Sequence, residues 1–63
     1  MLYLSEVLMQ EHELTAFDDL VEALKQRARN GEMFFQIDVR PPFQDTPNDW
    51  ETRLEAAFTS PNR

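Results

Sequence analysis

Apolar residues recur at Ala16, Phe17, Leu20, Val21, Leu24 and Ala28. This is helical spacing with a wide apolar stripe, and it predicts a helix over 16–30. Thr15 stands at the N-cap position and Asp18 follows three residues later, an aspartate version of the capping box. Asp18, Asp19 and Glu22 crowd the first half of the segment, and Lys25, Arg27 and Arg29 the second. That order complements the helix dipole. Gly31, the single glycine of the chain, follows Asn30 and suits a left-handed residue just past the helix end.

The period then changes from 3.6 to 2. Met33, Phe35, Ile37 and Val39 alternate with Phe34, Gln36, Asp38 and Arg40, which predicts one strand over 32–40. The first set suffices for a core-facing side. Pro41 and Pro42 stop the strand, because neither can donate to a ladder. A second helix is expected over 47–58, with Thr46 as N-cap, Pro47 at the first helical position and Asp49 completing another box. Trp50, Leu54, Ala57 and Phe58 fall on one face of it. Residues 59–63 read as a frayed tail, with Pro61 blocking extension.

The segment 2–12 fits two templates. Leu4, Val7 and Leu8 match a helix stripe, while Met1, Tyr3, Val7 and Met9 match one side of a strand. A helix (or strand) is therefore expected there, and the choice has a consequence. If the segment is a helix, the 32–40 strand must find its partner on another chain, most simply a second copy across a two-fold axis. If it is a strand, the order βαβα closes a two-stranded sheet within one chain. Either way the fold class is α+β, a small single domain over 1–63.

Composition narrows the chemistry. The 63 residues hold no cysteine and one histidine, so neither a disulfide nor a Cys/His zinc site can staple the fold. Small domains without staples often rely on association or very good packing. Six basic residues against twelve acidic ones leave a net charge of −6. Nucleic acids and anionic membranes are disfavoured as direct partners, because both are bound mainly through Lys and Arg. No apolar run approaches the ~18–20 residues of a membrane span. The apolar start lacks the basic flank and cleavage site of a signal peptide. We expect a cytoplasmic chain of a bacterium or its virus.

The residues that could do chemistry have structural explanations. Asp18, Asp19 and Glu22 sit where a helix start wants acids. Glu11–His12–Glu13 lacks the second histidine of a metalloprotease helix. Ser5 and Ser60 lack the G-x-S-x-G context, and one glycine cannot make a phosphate loop. Lys25, Arg27 and Arg29 match the helix C-terminus. No catalytic, cofactor-binding or metal-binding residue is expected, and the chain reads as a non-enzyme.

Phe34 stands apart from these. Alternation leaves it on the less apolar side of the strand with Gln36, Asp38 and Arg40, and Phe43 follows shortly after. Aromatic residues beside arginine dominate interface hot spots. Phe34, Gln36, Asp38, Arg40 and Phe43 are thus the candidate protein interface. The expected role is a small acidic interaction or regulatory protein, acting as a homodimer or on a protein partner. Two alternatives are a DNA-mimicking inhibitor of a nucleic-acid-binding protein and an accessory subunit of an enzyme complex.

Overall fold

The computed structural model describes residues 1–61. Its elements run β1 (Leu2–Tyr3), α1 (Leu4–Gln10), α2 (Phe17–Arg29), β2 (Phe35–Gln36) and α3 (Trp50–Thr59). This is a small α+β domain of three helices and a two-stranded parallel sheet. The ambiguous N-terminal segment divides between its two templates. Leu2 and Tyr3 pair with Phe35 and Gln36, and the helix begins at the next residue. In α1, Leu4 and Val7 are fully buried and Leu8 half-buried, as its stripe requires. Seven residues are too few for a stable helix in isolation, so packing holds α1 in place.

The core forms where three stripes meet. Leu2, Leu4 and Val7 pack with Phe17, Leu20, Ala23 and Leu24 of α2 and Leu54 of α3, while Phe35, Ile37, Phe43, Trp50 and Phe58 close its margins. The Phe35 and Phe58 rings stack with centroids 5.2 Å apart, which fixes α3 against β2.

The α2 helix matches its expected span to within a residue at each end, but its start is built differently. Ala16, not Thr15, is the N-cap, and Asp19, not Asp18, is the returning acid. The Asp19 carboxylate accepts from the Thr15 and Ala16 N–H groups at 3.0 and 3.1 Å, and from Thr15 Oγ1 at 2.9 Å. At the other end, Gly31 N–H bonds the Ala28 carbonyl and Glu32 N–H bonds the Arg27 carbonyl. These two bonds close a Schellman motif, and Gly31 has a φ of 107°, as expected of its position.

The regular part of the strand is far shorter than 32–40. Only Phe35–Gln36 forms β2, because its partner β1 is two residues long before the chain turns into α1. Met33 and Val39, expected on the core side, are exposed; only the middle of the alternation, Phe35 and Ile37, packs against the core. The last helix starts three residues late. Trp50 N–H bonds the Pro47 carbonyl in a preceding turn, and Asp49 is the N-cap. Thr46 is not a cap: its N–H bonds the Phe43 carbonyl, and its hydroxyl is buried without a partner among the described residues. The helix runs through Thr59, and Arg29 donates to the Pro61 carbonyl at 2.6 Å. The remainder of the expected tail, 62 and 63, lies outside the described residues.

Candidate functional site: the open side of the sheet

Pleating sorts β1 and β2 by side. Leu2 and Phe35 are register partners turned to the core, and Tyr3 and Gln36 are partners turned outward. Continued one residue back, the same register sets Met1 beside Phe34. Met1 is 69% exposed, Phe34 64% and Tyr3 39%. All three are exposed, so the sheet keeps apolar side chains open on its outward side. Met33, at 79%, is exposed as well, but alternation sets it on the Phe35 side, where it lines a groove with Glu55, Phe58 and Thr59 of α3. Contiguous exposed apolar groups of this kind mark contact surfaces more often than isolated ones do.

The five candidate interface residues divide. Phe34, Gln36 and Arg40 are exposed. Arg40 has no hydrogen bond or ion pair among the described residues. Asp38 is also exposed, but both its oxygens are engaged: Ser5 N–H donates to Oδ1 at 3.0 Å and Ser5 Oγ to Oδ2 at 2.6 Å. The two Ser5 bonds, the hydroxyl's first, hold the Asp38 carboxyl below the usual aspartate range. Phe43 is half-buried against the core. Sequence reasoning missed Met1 and Tyr3, because only the parallel pairing brings them alongside Phe34.

A second feature runs along the outer edge of β2. Leu2 N–H bonds the Phe34 carbonyl at 2.8 Å, so the ladder to β1 is made by Phe34 and Gln36. In a parallel ladder the intervening residue turns its backbone groups the other way. The Phe35 N–H and C=O therefore face the free edge. A groove of about 290 Å³ between β2 and α3 is lined by Phe35, Gln36, Ile37, Glu51 and Glu55. A neighbouring one of about 280 Å³ is lined by Met33, Phe34, Phe35, Glu55, Phe58 and Thr59.

Many acids have internal work. Asp19 serves the α2 start, and the hydrogen bonds it accepts from Thr15 and Ala16 lower its pKa, the Thr15 N–H contributing most. Asp45 reaches the same helix from the loop, accepting from Phe17 N–H at 3.0 Å. Asp38 serves α1. Asp49 pairs with Arg53 at 2.9 Å and Glu22 with Lys25 at 3.6 Å. The basic cluster of α2 is likewise engaged: Arg27 bonds Gln10 and Arg29 bonds Pro61. An open depression of about 510 Å³ is lined by Glu11, His12, Glu13, Asp19 and Glu22 among others. No group of three or more potential ligands gathers to hold a metal among the described residues. No described helix is long and apolar enough to cross a membrane. Comparison with protein-family models, curated proteins and solved structures finds no match.

Proposed function

We propose that this chain is a non-catalytic interaction protein that binds another protein chain through the open side of its sheet. One observation carries the reading: Met1, Tyr3 and Phe34, brought alongside one another by the β1–β2 register, leave large apolar side chains exposed on the outward side of the sheet. Leaving such a surface in water is unfavourable at about 25 cal/mol per Å², so its retention favours a contact role. The internal β1–β2 pairing removes the need for a second copy to complete the strand. A homodimer is therefore read as forming through the side chains of this face. The DNA-mimic alternative draws less support, since Asp19, Asp38 and Asp45 are committed to helix starts.

The test is a comparison of variants. Phe34→Ala and Tyr3→Ala should keep the helical circular dichroism and the Tm nearly unchanged, yet weaken self-association in sedimentation or binding to a captured partner. Met9→Ala, at an exposed position on α1, should leave both the fold and the association unchanged. Equal association by all three variants would remove the reading.

A further inference from the structure

The outer edge of β2 is protected by its shortness alone. Exposed strand edges are ordinarily blunted by a short strand, lysine, proline or a bulge, and of these only the first is present at Phe35–Gln36. The run Met33–Phe34–Phe35–Gln36–Ile37 has no charge and no proline, and the Phe35 backbone groups face outward from it. The far wall of the adjoining groove belongs to α3, where Glu51 and Glu55 stand four residues apart on one side. Like charges at that spacing disfavour a helix. Neither glutamate has a cationic partner among the described residues, whereas Asp49 and Glu22 do.

We infer that the free edge of β2 and the Glu51–Glu55 side of α3 together take up an extended basic segment of a partner protein as an added strand. Such a segment would lie ~4.8 Å from β2. Its backbone would pair with the Phe35 N–H and C=O, the mode by which extended peptides join open sheets. Alternate side chains would point towards α3, so lysine or arginine at every second position meets Glu51 and Glu55. The intervening side chains would extend the apolar side that begins at Phe34. The net charge of −6 favours the approach of a cationic segment over an anionic one.

This rests on the interaction-protein reading but fails separately from it. The probe is a short capped peptide alternating lysine with valine, added to the isotope-labelled chain. Its controls are the same peptide with glutamate for lysine, and one N-methylated on the amides that would face β2. The lysine peptide should shift the Phe35 and Ile37 amide resonances, and added salt should weaken it. The double variant Glu51→Gln/Glu55→Gln should weaken it by about tenfold, the scale of two exposed ion pairs. Both control peptides should leave the edge amides unmoved. Unshifted edge amides with the lysine peptide, or equal binding by the double variant, would overturn the inference. Edge shifts that follow the concentration of the chain alone would overturn it in favour of a second copy. The face reading would fail differently, by an association indifferent to Phe34→Ala.

Discussion

Asp38 and Ser5, 33 residues apart in sequence, are joined by two hydrogen bonds at once, one to the Ser5 backbone and one to its hydroxyl. The pair ties the segment leaving β2 to the first turn of α1. A side chain from a distant loop thereby supplies the acceptor that a helix start needs. Asp38→Ala should lower the Tm and speed amide exchange at Ser5, while Asp38→Asn, which keeps one acceptor, should fall between it and the natural chain. Identical melting of all three would show that α1 is held by packing alone.

Acid should act through the same contacts. Asp38 and Asp19 both have folded pKa values below the ordinary 3.8, so the folded state binds fewer protons than the unfolded state in that range. Their contribution is complete above the unfolded pKa and is lost as pH falls through the folded one. Urea midpoints should therefore drop on acidification below about pH 4. The drop should be shallower in the Asp19→Asn/Asp38→Asn double variant, and an equal slope in both chains would contradict these roles.

The start of α2 separates two residues that look alike in sequence. Asp19 accepts three hydrogen bonds, and Thr15 contributes its side chain to one of them. Denaturant midpoints should fall further for Asp19→Ala than for Thr15→Ala, and should barely change for Asp18→Ala. The reverse order would place the cap at Thr15 after all.

Neighbouring phenylalanines should fail in different ways. Phe35 stacks on Phe58 and closes the core, so Phe35→Ala should cost about 2–4 kcal/mol, somewhat less than a fully buried ring. Phe34→Ala should cost under about 0.5 kcal/mol, as surface substitutions do. Equal losses in urea unfolding would mean that both sides of the sheet are core.

Gly31 isolates a backbone effect. A Cβ added there meets nothing within 4 Å, yet its φ of 107° is one that side chains disfavour. Gly31→Ala should cost about 1–2 kcal/mol from conformation alone, read as a shift in the urea midpoint.

These relationships differ in how far the sequence shows them. The α2 stripe and the Asn30–Gly31 stop are local, and periodicity placed both closely. Phe34's exposure follows from alternation with Phe35. The short length of β2 was hidden, because a strand extends only as far as its partner does, and the partner is a two-residue stretch at the other end of the chain. The caps of α1 by Asp38 and of α2 by Asp45 were hidden for the same reason: local capping rules search within four residues. Thr46 and Pro47 imitate a helix start, but the turn that ends at Trp50 delays it.

Methionine oxidation offers the most direct test of the open side as a contact surface, since the chain carries its own control. Met1 stands beside Phe34 on that side, Met9 lies on α1, and both are exposed. Oxidation rates should be compared between the dilute purified chain and the chain in its source cell. We expect both to react readily when dilute, and Met1 to be protected in the cell while Met9 is not. Met1 reacting in the cell as fast as Met9 would contradict a covered sheet, and protection of Met9 alone would move the contact to α1.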